Sequence, residues 1–405
     1  MAYIPPHKRQ SKDVIRASPI PETLQPHQFQ RNMNLRAPTF HKNKSGKIVY
    51  EDHNIYKWFA LGLDVDGQFP PYIHLEPISF EYIERKHGEK PLVLVNSIIT
   101  EEGCKLERNC SKSPWEIIAE NVHQELVSSF EILRKEIDDQ GSENVRLALV
   151  ARFGKIVFRG SPYMRLQSVN KIQVEETILR QLNRSLSTNI PSSYIENIID
   201  GVLPTIGVNF DEEKDVYIVK LSDNTRPDAT VLCKCTVLEN KKLRLYKVEL
   251  SQVHHMVIDV SCLDKNLDLR LMLRSRSILT AQTDDEMNII RDLINSAVVD
   301  SDMKGGLRWP LGKTSSGGRY RVVVVWHIVT KAYASSSFRL KARDADRYDF
   351  RTETGETTRQ IYLKLNRIVS ELQEPGAESE PVSKMLEDSL RLIWDKFLCC
   401  ERFLT

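Results

Sequence analysis

The chain of 405 residues has almost no surplus of charge: 57 Lys and Arg face 55 Asp and Glu, for a formal net charge of +2. A uniform polyelectrolyte is thereby excluded, so any affinity for polyanions must come from where the cations sit. Cysteine is sparse as well. Seven residues, an odd number in so long a chain, exclude a dense disulfide framework and point to a reducing compartment. Long apolar runs are missing, and VVVVWHIV (322–329) falls far short of the roughly 20 residues that a spanning helix needs. The N-terminal stretch lacks the apolar centre of a secretory signal, and Pro5, Pro6, Pro19 and Pro21 break any amphipathic transit helix. The expectation is a cytoplasmic or nuclear protein without a membrane segment. Catalytic signatures are absent too. None of the ten histidines lies in a Gly-x-Ser-x-Gly, His-Glu-x-x-His or Cys/His pattern, so no catalytic residue and no cofactor is assigned.

What the chain does have is an ordinary core composition, 41% hydrophobic, and a lopsided distribution of its cations. Residues 1–47 hold nine Lys or Arg against Asp13 and Glu22, among proline-punctuated polar sequence too poor in apolar residues to build a core. Residues 1–46 are therefore expected to be a disordered basic arm, with Lys8, Arg9, Lys12 and Arg16 as candidate phosphate-backbone contacts. A second basic concentration spans residues 304–347, where ten Lys or Arg face Asp344 and Asp346. There Lys304, Arg308, Lys313, Arg319 and Arg321 interleave with Trp309, Tyr320 and Trp326, a mixture suited to gripping a backbone and stacking a base.

The fold class expected is α+β, mainly an antiparallel sheet flanked by helices. Residues 47–165 are expected to form a small α+β domain and residues 166–405 a larger antiparallel one. IVYED, YIHLEP and LVLVNS are strand-like. Ser113, Pro114 and Glu116 then open a capped helix whose apolar positions Trp115, Ile118, Val122, Leu126, Leu133 and Ile137 keep helical spacing. VRLALVARFGKIVFRG is expected to be a hairpin turning at 153–155. Helices are expected over KIQVEETILRQLNRSLS and from Ser193 to Gly201. VYIVKL, ATVLCKCTVL, KLRLYKVEL, HMVIDVSCL and LDLRLMLRS follow too closely for crossover helices, which implies antiparallel pairing. In the last, Leu269, Leu271 and Leu273 alternate with Arg270, Met272 and Arg274. A helix opening at Thr283 to Glu286, a strand over 320–330 partnered by 338–341, and two helices over 356–372 and 381–403 complete the reading.

GGLRWPLGKTSSGGRY (305–320) imitates a phosphate-binding loop at Gly312, Lys313 and Thr314. The match fails physically: five residues separate Gly306 from Gly312 where four are required, Pro310 removes an N–H donor, and a strand follows instead of a helix. Cys233 and Cys235 have no second pair at metal-ligand spacing, so no metal site is assigned. Charged sheet positions Lys220, Arg244, Asp259, Arg270 and Arg274 leave two readings open. The face is solvated, or it lines a groove or tunnel for a phosphorylated ligand.

Tyr3-Ile4-Pro5-Pro6-His7-Lys8-Arg9 resembles a short segment near the start of certain DEAD-box RNA helicases, with Lys8 where those have leucine. That resemblance implies contacts with messenger-RNA-associated proteins through Tyr3, Pro5 and Pro6, whose pre-extended backbone suits docking in a groove. The opening MAYIPPHKR, the VARFGKIVF block and the GGLRWPLGK loop together resemble a plant-specific family of uncharacterised proteins, a likeness that spans nearly the whole chain and implies no activity. The functional expectation is a non-enzymatic protein that engages RNA or a ribonucleoprotein through its basic segments. The alternatives are an enzyme or sensor holding a phosphorylated small molecule on the charged sheet face, and a protein–protein scaffold.

Overall fold

Where apolar and polar residues alternate with period two, the chain forms strands. The computed structural model describes residues 55–61, 69–97, 112–140, 145–250, 253–277, 284–310, 312–316, 318–374 and 379–398, all within one unit, residues 43–405. The basic arm and IVYED lie outside the described residues. The strands are β1 (Ile55–Leu61), β2 (Ile73–Pro77), β3 (Leu92–Asn96), β4 (Val145–Arg159), β5 (Asn183–Ser187), β6 (Asn209–Asp223) and β7 (Arg226–Val237). They continue with β8 (Leu243–Leu250), β9 (Val253–Cys262), β10 (Asp268–Ser277), β11 (Tyr320–Ala334), β12 (Arg339–Asp349) and β13 (Thr354–Lys364).

One sheet runs in the order β1-β9-β10-β4-β13-β12-β11-β6-β7-β8. Only β1 and β9 pair in parallel along this path; every other neighbouring pair is antiparallel. The fold is the expected α+β class, a mainly antiparallel sheet flanked by helices. Strand β4 joins the residues on either side of position 165: its first part pairs with β10 and its last five residues pair with β5.

The main helices are α1 (Glu81–His87), α2 (Pro114–Gln140), α3 (Asp284–Asn295), α4 (Asn366–Gln373) and α5 (Ser379–Leu392). Helix α2 starts as its capping box dictates, with the Ser113 N–H donating to Glu116 Oε2 at 2.8 Å. Its stripe of Ile118, Val122, Leu126 and Leu133 is buried, and with α4 and α5 it covers Leu269, Leu271, Leu273, Leu149 and Ala151 on the outer face of the sheet. A second core lies where α3 and Trp309 cover Val219, Leu221, Cys233, Cys235 and Val325.

Several local expectations are corrected. VRLALVARFGKIVFRG is not a hairpin: Val145–Arg159 is a single fifteen-residue strand. It continues through 153–155 instead of reversing there, and Gly154 leaves room for the Ser187 backbone to pass close by. Of KIQVEETILRQLNRSLS only Glu176–Gln181 is helical; Asn183–Ser187 is drawn into pairing with the tail of β4. The turn of helix at Ser192–Glu196 does not stop at Gly201 but widens into a π-helical turn and ends at Thr205. Residues 354–364 are strand, since Ile361 and Leu363 meet the core while Tyr362 points to the opposite face, and the helix begins only at Asn366.

A candidate anion-binding recess

Eight strands, from β10 through β4, β13, β12, β11, β6 and β7 to β8, curl until β8 comes back against β10. Arg276 on β10 bridges that seam to Glu249 on β8 at 3.3 Å. Alternation then decides the chemistry, because residues of one parity meet the apolar cores and those of the other face inward. The inward set is charged. Arg270 registers with Arg152, Arg152 with Tyr362, and Tyr362 with Lys341. Further along, Gln360 registers with Arg343, and Arg347 with both Glu356 and Trp326. Strands β6, β7 and β8 add Lys220, Lys234, Lys247 and Glu249.

This polar face is enclosed. Arg274 is 7% exposed, Asp349 1%, and Glu249 and Asp259 0%. Buried charge is tolerated when it is paired, and these three inward carboxylates are. Glu249 meets Lys247 at 2.7 Å, Lys234 at 2.9 Å and Arg276. Burial pushes its carboxyl up, but those three cations outweigh it and hold the pKa below the usual glutamate range. Asp259 takes a bidentate pair from Arg270 at 2.6 and 2.7 Å and a hydrogen bond from the Tyr56 hydroxyl. Asp349 is held by Arg347 at 2.7 Å and Arg351 at 2.9 Å.

Around Tyr362 the balance is reversed. Among the described residues, Arg152, Arg343 and Lys364 enter no ion pair with a carboxylate, and the Nε atoms of Arg152 and Arg343 are buried without a hydrogen-bond partner. Both guanidinium groups sit over the Tyr362 ring, at 5.7 and 5.6 Å from its centroid. Burial, then the neighbouring Arg343, lowers Arg152 to about 10; burial, then Arg152 and Arg276, lowers Arg274 to about 9. Burial and the adjacent cations bring Lys364 down to about 8. Burial pushes the Tyr362 phenol up, yet Arg343, Lys341, Arg274 and Lys364 together outweigh it and bring the group down to about 8. His254 is lowered to about 4 by burial and by Arg274 and Arg152, so it is neutral and adds no charge of its own.

Arg152 and Arg343 open onto a recess of about 860 Å³. Its wall continues past Gln360 and Trp326 to a rim at Arg159 and His87, which meet at 2.6 Å. Chemically, the arrangement is a set of fixed guanidinium donors that no described carboxylate neutralises, the geometry that receives phosphate oxygens.

Of the residues expected from the sequence to touch nucleic acid or a partner, Trp326 lines the recess and most of the others lie elsewhere. Lys8, Arg9, Lys12, Arg16, Tyr3, Pro5 and Pro6 fall outside the described residues. Trp309 is 8% exposed and donates its indole N–H to Leu293 O at 2.9 Å. Arg308 pairs with Asp300 at 2.9 Å, and Arg319 with Glu286 at 2.5 Å and Asp223 at 3.5 Å. Lys304 reaches Thr357 Oγ1, while Lys313 and Arg321 are exposed. The loop holding Lys313 leads into strand, as its sequence implied. Lys220, Asp259, Arg270 and Arg274 do share the inner face. Sequence reasoning counted Arg343 among the ten cations of residues 304–347 but did not single out Arg152, Tyr362 or Lys364, although Arg339-x-Lys341-x-Arg343 and Gln360-x-Tyr362-x-Lys364 carry a period-two signal.

Cys233 and Cys235 are buried thiols of the α3-side core, with pKa values raised by burial. Among the described residues no three His, Cys, Asp or Glu side chains are grouped to hold a metal ion, and no helix is long and apolar enough to cross a membrane.

No curated protein matches the chain. Among solved structures it is similar to the S. pombe Pct1 RNA triphosphatase, at 9% identity over 75% of this chain and 97% of that one, with a TM-score of 0.42. The same protein in complex with the Spt5 CTD gives 8% identity, 74% and 97% coverage and 0.43. The PH1012 protein from Pyrococcus horikoshii OT3 gives 10% identity, 54% and 94% coverage and 0.23. A family model matches residues 42–397, and the chain belongs to that family, described as a domain of unknown function (DUF7903).

Proposed function

We propose that this protein binds a phosphorylated small molecule on the inner face of its curled sheet, with Arg152 and Arg343 as the principal phosphate contacts. One observation carries the reading: two guanidinium groups, each with its Nε buried and without a hydrogen-bond partner, open onto a recess, and no described carboxylate pairs with them. An uncompensated buried charge costs several kcal/mol, and an incoming phosphate would supply the missing counter-charge. Arg152, which lines the recess, and its neighbours Tyr362, Lys364 and Arg274 have strongly shifted pKa values, and such a cluster favours a functional site over a structural one.

The same groups make binding pH-dependent. As pH rises through about 8, Tyr362 gains a negative charge and Lys364 loses a positive one. Both changes weaken the attraction for an anion. Calorimetric titration with inorganic tripolyphosphate should therefore give an affinity that falls by at least about tenfold between roughly pH 7 and 9.5, a change of about 1.4 kcal/mol or more. An affinity that stays level over that window counts against the site.

A second reading, RNA or a messenger-RNA-associated partner engaged through the arm, is supported by the nine cations against two acids in residues 1–47 and by the exposed Lys313 and Arg321.

A further inference from the structure

Taking the recess as the phosphate site, we infer that its ligand also carries a planar ring, which packs on Trp326, and that the chemical class is a nucleoside triphosphate. The wall is divided into two chemically different ends. Arg152, Arg343 and Gln360 form one. At the other, Trp326 stands beside Ile218, Leu232 and Ile328. Its neighbour in the chain, Val325, is 0% exposed in the α3-side core, whereas Trp326 points the opposite way, is only half-buried and belongs to none of the apolar cores. Tryptophan has a large apolar face, and an inward one set against an open recess instead of a packed core offers that face to a ligand ring.

Polarity fixes which end takes which group. Glu356 lines the recess at the Trp326 end and registers with Arg347, whose charge is already committed to Asp349. A carboxylate repels phosphate but accepts hydrogen bonds from ring amino groups and sugar hydroxyls. The phosphates are thereby directed to Arg152 and Arg343 and the ring to Trp326. Register sets the length. Arg343 and Arg347 point inward four residues apart on β12, about 13 Å at about 3.3 Å per residue, and Trp326 lies opposite Arg347. That separation suits an extended nucleoside triphosphate measured from base to terminal phosphate, and exceeds what a single phosphate ester fills.

The test is calorimetric titration of the full chain with ATP and with inorganic tripolyphosphate, using wild type, Trp326→Ala and Trp326→Phe. ATP should bind wild type about tenfold or more tightly than tripolyphosphate does, as base stacking on an aromatic side chain provides. Trp326→Ala should abolish that advantage while moving tripolyphosphate by no more than about twofold, and Trp326→Phe should restore most of it. If tripolyphosphate binds but ATP binds no more tightly, or if Trp326→Ala weakens both equally, the ring site is overturned while the phosphate site stands. If neither binds, both are overturned.

Discussion

Replacing Arg152 and Arg343 together with methionine should lower the affinity for tripolyphosphate by at least about a hundredfold and raise the melting temperature of the unliganded protein. The two effects have one cause. Each guanidinium is expected to contribute charge-assisted hydrogen bonds worth about 1.5–3 kcal/mol to a bound phosphate, so the pair accounts for a hundredfold or more. Without the ligand Arg152 is desolvated beside Arg343, the Nε atoms of both are buried without a hydrogen-bond partner, and neither pairs with a described carboxylate. Methionine keeps much of their length, and the adjoining Val150 and Met272 offer it apolar contacts. Exchanging buried charge for apolar side chains is typically neutral or stabilising by about 1–4 kcal/mol. Thermal melts and titration calorimetry on the double variant read both signs. A lower melting temperature with unchanged affinity would make these arginines structural. The opposing signs would also mark the recess as a place where stability is given up for binding.

Gly154→Ala should be the most disruptive single methyl added to the protein. A Cβ at Gly154 would lie 2.0 Å from Ser187 O, 2.9 Å from Ser187 C and 3.2 Å from Thr188 Cα. All three are backbone atoms, so no side-chain rotation relieves the clash. Either β5 leaves the tail of β4 or β4 is displaced at Gly154, two positions from Arg152. Forced overpacking of this kind costs about 3 kcal/mol or more. Gly312→Ala is the control: Gly312 has φ of 76° and nothing within 4 Å of the place its new methyl would take, so only backbone strain of about 1 kcal/mol is expected. Equal losses in denaturant unfolding of the two variants would contradict the close crossing at Gly154.

How far the sequence reveals this molecule depends on whether a feature is local. Helix α2 is legible because its cap and its apolar stripe are both written within 27 consecutive residues. The run of strands from Val216 to Ser277 is legible from alternation alone, and so is the opposition of Leu269, Leu271 and Leu273 to Arg270 and Arg274. Misreadings arise where a distant partner decides. Asn183–Ser187 has an unremarkable helical pattern, and only the free edge of β4 makes it a strand. Residues 356–364 pass for helix until β12 draws them into a strand, 354–364, with eleven registered partners. The recess is the extreme case. Arg152, Arg343 and Lys364 are separated by up to 212 positions, and the period-two pattern that places Arg343 and Lys364 on one strand face does not say whether that face is solvated or turned inward until the sheet curls. Local crowding of charge, by contrast, drew attention to Arg308 and Arg319, which the fold pairs with Asp300 and Glu286.

The central claim, that polyanion affinity resides inside the sheet, is tested most directly by titrating tripolyphosphate at pH 7 into three full-length proteins. These are wild type, Arg152→Met/Arg343→Met, and the arm variant Lys8→Ala/Arg9→Ala/Lys12→Ala/Arg16→Ala. The account predicts one saturable site in wild type, retained in the arm variant to within about twofold at physiological salt, and lost in the Arg152/Arg343 variant. Binding that disappears with the arm cations and survives without Arg152 and Arg343 would contradict it.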